Sequence, residues 1–328
     1  MRPLITAQRD ITAGVDIDRL DEDGLRAIVQ ALRHGMRRPA AKLQTPARIE
    51  EIAPGGVPAR LYRPVESDVR ETLPVLIYAH GGGWIGGDLD LNDEICRALA
   101  ADASCAVVSV DYRLAPEHPY PAALDDCWSI LTWAHDTAPS WGGDPDCLAV
   151  AGSSAGGNLA AALAIRARDA GIPLRAQLLM YPVTDGASES ASFRDYATGY
   201  TLTASQLRFF WRAYANPASQ RRDPEVSPLH LDTAHGLAPA LIITAELDPL
   251  RDEGEAYGRL LKESGVPVQI SRYRGQLHGF VAMTDITPDA RSALAEMAVY
   301  LIDRWGAAGH DRLRRASDGR PTAGKKTE

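Results

Sequence analysis

The stretch Leu148–Ala162, LAVAGSSAGGNLAAA, most narrows what this chain can fold into. The apolar run Leu148 to Ala151 reads as a buried strand. It passes without a spacer into Gly152-Ser153-Ser154-Ala155-Gly156 and then into an alanine-rich, helix-forming run. A strand becomes a helix over so few residues only if the corner residue takes a strained backbone and small neighbours let the two elements pass closely. The frame Gly152-x-Ser154-x-Gly156 puts Ser154 at that corner, its hydroxyl exposed and the N–H of Ala155 at the helix start. One residue back, Ala151 and Ala155 would stand where glycines belong, so Ser153 is the weaker candidate.

The same region could be mistaken for a membrane span, because Leu148–Ile165 carries no charge. Its three glycines, two serines and asparagine argue instead for strand, turn and helix. The rest of the chain supports that reading. Pro74–Ala79 is a continuous apolar run, as expected of a strand covered on both faces, and it meets His80-Gly81-Gly82-Gly83-Trp84. A helix through Ala101, a strand at Cys105–Val110 and a helix from about Ala122 to Ala138 precede the serine strand. Further strands are expected at Arg175–Val183, Pro239–Leu247 and Val268–Tyr273, each followed by a helical pattern. This alternation signals an α/β fold with a mostly parallel central sheet flanked by helices.

Three parts stand outside the alternation. Residues 16–38 have helical apolar spacing, acidic at the start and basic at the end, with Gly24 expected to split them into two short helices. Ala47–Pro64 reads as a hairpin around Pro54-Gly55-Gly56. Gly186–Leu237 carries Phe193, Tyr196, Tyr200, Leu202, Phe209, Phe210, Trp211 and Tyr214, the composition of a lid or pocket wall rather than a linker. The last twenty residues are polar and expected to be disordered.

A serine hydroxyl becomes a nucleophile only beside a base, and the base needs an acid to hold its tautomer. In open α/β sheets such groups lie at the carboxyl ends of strands. Asp248 ends the run Leu241–Leu247, and His278 follows the last strand, giving the order Ser154, Asp248, His278. Asp252 is the rival acid, one turn into the following helix, and Glu246 lies within the strand. Among eight histidines only His80 and His278 directly follow strong strands, while His118 reads as a loop residue. A histidine base predicts loss of activity below about pH 6–7. Gly82 and Gly83, with the N–H of Ala155, would form a three-donor oxyanion hole, each donor contributing about 3–4 kcal/mol.

A competing pattern overlaps this one. Gly81-x-Gly83-x-x-Gly86 follows a strand, and Asp111 ends the next strand, as in a dinucleotide fingerprint. Asp88, Asp90 and Asp93 crowd the place of the pyrophosphate, however, and Ser154, Asp248 and His278 are left unexplained. An amidase or deacetylase with the same triad is the alternative within hydrolases.

Taken together, these motifs resemble the bacterial hormone-sensitive-lipase-like esterases, an α/β-hydrolase family. The shared pieces are HGGGW at His80–Trp84, DYRLAPEHPYPA at Asp111–Ala122, GSSAGG at Gly152–Gly157, DPLRDEG at Asp248–Gly254 and HGF at His278–Phe280, in the family's order. The resemblance implies a serine carboxylesterase of the α/β-hydrolase fold, acting on short- to medium-chain esters. It implies a catalytic domain over 47–308 and a helical cap made from residues 1–46 and the insertion 186–237, followed by a tail over 309–328. It also implies Ser154 as nucleophile, Asp248 as acid, His278 as base and Gly82, Gly83 and Ala155 as oxyanion donors, with Arg113 and Glu117 in buried charge pairs beside the site. The family commonly has Asp before the nucleophile, where this chain has Ser153.

The expected partner is a small-molecule ester, together with at most a second copy of the chain. A net charge of -8 argues against nucleic acid and against stable association with an anionic membrane. No cofactor or metal is called for, since the four cysteines are widely spaced and lack paired histidines. Free thiols as the default and no secretory pattern in the first residues make the cytoplasm the expected location.

Overall fold

The computed structural model describes residues 12, 14, 20–36, 45, 47–65 and 72–306. The tail expected over 309–328 lies outside the described residues, as does most of 1–46 apart from one helix.

In chain order the elements begin with α1 (Glu22–Met36), β1 (Ala47–Ile52), β2 (Ala59–Pro64), β3 (Leu73–Ala79), α2 (Asp93–Asp102), β4 (Ala106–Val110) and α3 (Ala122–Trp141). They continue with β5 (Gly143–Ser153), α4 (Ala155–Asp169), β6 (Ala176–Met180), α5 (Ala191–Asp195) and α6 (Ala204–Tyr214). The last are β7 (Ala240–Leu247), α7 (Arg251–Glu263), β8 (Val268–Leu277) and α8 (Pro288–Trp305). Among the described residues the strands form one sheet in the order β1-β2-β4-β3-β5-β6-β7-β8. β1 pairs antiparallel with β2, and β2 antiparallel with β4, while every later pairing is parallel.

The central strands are apolar throughout because both faces are covered. Along β3, Val75, Ile77 and Ala79 join a core with Ile130 and Leu131 of α3, Leu159 of α4 and Tyr257 of α7. Leu76 and Tyr78 turn the other way, into a core with Ile95 and Leu99 of α2 and Met297 and Leu301 of α8. The alternation is the period-two geometry of a strand, with an apolar residue demanded at both phases.

The uncharged window at Leu148–Ile165 is the second half of β5, the corner and most of α4, all buried except Ser154 at the corner, which is partly exposed. Among the described residues no helix is long and apolar enough to cross a membrane. Gly24 does not divide the first helix. It lies in the opening turn of α1, where its N–H donates to Asp21 Oδ1 at 2.8 Å, so the aspartate caps the helix and the glycine interrupts no interior turn. α3 runs past Pro139 to Trp141 and ends at Gly142, which takes φ +81°. β8 extends to Leu277, beyond the expected end at Tyr273, after a register shift against β7 between Ala245 and Leu247.

The segment between β6 and β7 is both core and wall. Phe209, Trp211 and Tyr214 of α6 are buried, and Trp84 stacks on Tyr214 at 4.3 Å. Thr201, Leu202, Gln206 and Phe210 from the same segment line a cavity at the carboxyl ends of the strands.

Candidate active site

Ser154 sits at the corner between β5 and α4 with φ 58° and ψ -118°, a backbone that side-chain-bearing residues rarely adopt. The flanking glycines make it possible. A Cβ at Gly152 would lie 2.1 Å from the Gly156 carbonyl oxygen, and one at Gly156 would lie 2.0 Å from the Ala79 carbonyl oxygen. The corner is fastened by the Ser154 N–H, which donates to the Met180 carbonyl at 2.8 Å. Asn158 helps from within α4, donating to the Val183 and Val226 carbonyls.

Asp248 follows β7 directly and is fully buried. Its Oδ1 accepts the Leu250 N–H at 2.9 Å, and its Oδ2 lies 2.8 Å from His278 Nδ1. A carboxylate only accepts, so Nδ1 carries the imidazole proton and Nε2 is left as acceptor. That nitrogen lies 2.9 Å from Ser154 Oγ. Three side chains distant in sequence thus form one hydrogen-bonded line. The order of elements explains it, since β5, β6, β7 and β8 are consecutive parallel neighbours and end on the same rim.

The rival residues face elsewhere. Partial burial pushes the Asp252 carboxyl upward, but hydrogen bonds from Arg251 and the Ser192 N–H hold it below the usual range, and both fix it away from His278. Glu246 Oε2 accepts the Gly275 N–H at 2.6 Å. Ser153 Oγ points to Asn92 Oδ1 at 3.0 Å. His80 is fully buried, stacks on Tyr112 at 4.1 Å and is lowered by burial to about 4, so its ring stays neutral. His118 lies on a loop around a different cavity.

Glu253 was not foreseen from the sequence. It is buried beneath the site, where Oε1 accepts the Thr184 N–H at 2.8 Å and the Asp185 N–H at 3.3 Å. Burial pushes its carboxyl well above the usual range against those bonds, and the charges of Asp185 and Asp248 add to the rise. The same burial disfavours a second anion beside Asp248.

Gly82 and Gly83 take φ +125° and +62° after β3, and both line the cavity with Ser154 and His278. A Cβ at Gly82 would lie 2.1 Å from the Gly86 carbonyl oxygen, which accepts no such approach from backbone. Gly82→Ala should therefore displace this loop and lower kcat for a chromogenic ester about a hundredfold or more, the cost of one lost oxyanion donor. Wild-type kcat in the purified variant would exclude the loop from the reaction.

The cavity has a volume of about 270 Å³. Leu32, Leu91, Tyr181, Leu202, Phe210 and Met283 give it apolar walls, with Asn92, Ser153, Thr201 and Gln206 as polar exceptions besides Ser154 and His278. Several of these come from α1 and α6, whose apolar positions looked in sequence like any amphipathic helix.

Arg113 and Glu117 do form charge pairs, but not buried ones. Arg113 binds Asp126 at 2.8 Å with its side chain 50% exposed, and Glu117 binds Arg33 at 2.8 Å while 45% exposed. Both line a separate cavity of about 560 Å³, away from Ser154, because the loop that carries them runs over the surface. The dinucleotide fingerprint also fails. After Gly82 the chain curls on itself, with the Ile85 and Gly86 N–H groups donating to the Gly82 carbonyl, and α2 begins only at Asp93. No helix N-terminus is presented to a pyrophosphate at Gly86. Among the described residues no group of three or more His, Cys, Asp or Glu could hold a metal ion.

A mostly parallel sheet, a strained serine between strand and helix, and an acid and a histidine after later strands define an α/β hydrolase. Residues 76–282 match a family model described as alpha/beta hydrolase fold. Carboxylesterase NlhH of Mycobacterium tuberculosis is 44% identical over 256 residues, covering 75% of this chain and 79% of its own. Ethyl acetate hydrolase of Pseudomonas putida is 42% identical over 241 residues, 73% of this chain and 76% of its own. Among solved structures, a hyperthermophilic esterase from the archaeon Pyrobaculum calidifontis superposes with TM-score 0.79 at 40% identity, covering 87% of this chain and 95% of that one. The chain belongs to the alpha/beta hydrolase fold family, within its hormone-sensitive-lipase-like esterases, and is a carboxylic ester hydrolase.

Proposed function

We propose that the protein hydrolyses short- to medium-chain carboxylic esters through an acyl-enzyme on Ser154. The observation that carries this is the line Asp248–His278–Ser154, with contacts of 2.8 and 2.9 Å, opening into the cavity that Gly82 and Gly83 share. His278 takes the Ser154 proton as Oγ attacks the acyl carbonyl carbon. The oxygen becomes an oxyanion held by the N–H groups of Gly82, Gly83 and Ala155. Collapse breaks the ester C–O bond, and His278 returns the proton to the departing alcohol. Water, deprotonated by His278, then attacks the acyl-enzyme and releases the acid and Ser154.

A cavity of about 270 Å³ is below the usual range for drug-sized ligands, which supports a small ester. Part of its wall comes from α1 and from the 186–237 segment, which we take together as a cap over a catalytic domain spanning 47–308. Four buried cysteines without a disulfide support residence in the cytoplasm.

An organophosphonate should label Ser154 stoichiometrically, located by peptide mapping. A series of p-nitrophenyl esters should show kcat/KM highest at short to medium acyl length, and matched anilides should turn over at least a hundredfold more slowly. Label on any other residue removes the assignment of the nucleophile. Anilides turned over as fast as esters would make the enzyme an amidase. Binding of a nicotinamide dinucleotide in titration would revive the reading of Gly81–Gly86 as a phosphate loop.

A further inference from the structure

Asn92 stands where a helix cap belongs and caps nothing. It immediately precedes α2, where an asparagine side chain ordinarily accepts an N–H of the first turn, and here it makes no such bond. Its Oδ1 is instead the meeting point of three donors, Tyr78 Oη at 2.9 Å, Ser153 Oγ at 3.0 Å and the Gly81 N–H at 3.4 Å. Tyr78 and Ser153 come from the ends of β3 and β5, and Gly81 opens the glycine loop. All three side chains of the cluster are buried. A backbone N–H can only donate, so Gly81 fixes the amide with its oxygen inward. The loop also leaves little room for a side chain beside residue 153, since a Cβ at Gly81 would lie 3.0 Å from Ser153 Oγ.

A local preference given up without local gain points to a use elsewhere. We propose that Asn92 and Ser153 are positioning residues that set the glycine loop against the serine corner. Ser153 is the covalent neighbour of Ser154, and Gly81 is the covalent neighbour of Gly82. A bridge from 153 through 92 to 81 therefore fixes the distance between the attacking oxygen and the loop amides. The inference rests on the assignment of Ser154 and the loop under the proposed function. Every member of the bridge is neutral, so it sets position without adding charge beside a developing oxyanion. An aspartate at 153 would oppose an acceptor to Asn92 Oδ1, turn the amide over and leave the Gly81 N–H without its acceptor.

The test compares Asn92→Leu, Ser153→Ala and the double variant, using kcat and KM for a p-nitrophenyl ester, affinity for an arylboronic acid as a tetrahedral mimic, and thermal melting. Asn92→Leu should lower kcat about tenfold to a hundredfold, the scale of a misplacement of about 1 Å. KM should stay within about twofold, and boronate affinity should fall by the same factor as kcat. Ser153→Ala should lower kcat less. The double variant should be no worse than Asn92→Leu, because both changes cut one link. A folded Asn92→Leu with kcat and boronate affinity like wild type overturns the proposal, as does a rise in KM at constant kcat. Should Asn92→Leu not fold, Tyr78→Phe and Ser153→Ala each remove a single hydroxyl, and unchanged kcat in both overturns it equally. Ser154→Ala in the same series separates the two levels. If it is inactive while Asn92→Leu is normal, only the positioning role falls, and if it is active, the nucleophile assignment falls with it.

Discussion

Ser154→Ala should lower ester turnover about a millionfold while leaving the fold in place. The expectation follows from what the change removes. The Cβ and the strained corner remain, Met180 still accepts the backbone N–H, and Gly152 and Gly156 still allow the close pass of β5, α4 and β3. Only Oγ disappears, and with it the 2.9 Å contact to His278. No nearby hydroxyl can replace it, since Ser153 is turned to Asn92 and Thr201 Oγ1 donates to the His278 carbonyl. Steady-state assays with a chromogenic ester, with circular dichroism and a melting curve as controls, check the result. Residual activity above about one per cent in protein free of wild type would remove Ser154 from the chemistry.

Asp248→Asn should cost about ten-thousandfold in kcat. An amide at this position keeps the size and one acceptor, so folding should survive. Yet asparagine can present its NH₂ to His278 Nδ1, which then holds the proton on Nε2, facing Ser154 with a donor where an acceptor is needed. Asp252→Asn is the informative partner. Its carboxylate serves Arg251 and the Ser192 N–H, so the variant should keep kcat within about threefold. The two aspartates lie four residues apart, and a reversal of the two effects would show that the acid lies in the first turn of α7 rather than at the end of β7.

Much of this was legible in the sequence because it depends on local chemistry. A strand, two glycines and a serine before a helix admit one backbone path, and Ser154 follows from it. Asp248 could be placed because the apolar strand before it announces its end, whereas His278 follows β8, a polar strand that runs to Leu277 rather than ending at Tyr273. Asn92 was hidden because it looks like a helix cap, and only the fold shows that its oxygen faces β5. Glu253 was hidden for a related reason. It sits among Asp252, Gly254 and Glu255 in a stretch that reads as a solvated helix start, and its burial is decided by the chain at Thr184. The exposure of Arg113 and Glu117 likewise depends on where a surface loop runs, which residue type does not encode.

The contact between the glycine loop and α6 bears on how the enzyme can be changed. A Cβ at Gly83 would lie 2.5 Å from the Phe210 ring, and Trp84 packs against Tyr214 and Trp211 at 4.3 and 4.8 Å. Phe210 shapes the pocket, so a library that resculpts it to admit bulkier substrates also shifts the loop next to it, and selectivity is gained at the expense of speed. Leu202 and Met283 line the same space from outside α6, whereas Gln206 closes the capping box at its start with Thr203. Diversification confined to Leu202 and Met283 should alter substrate preference with less effect on catalytic rate than changes at Phe210.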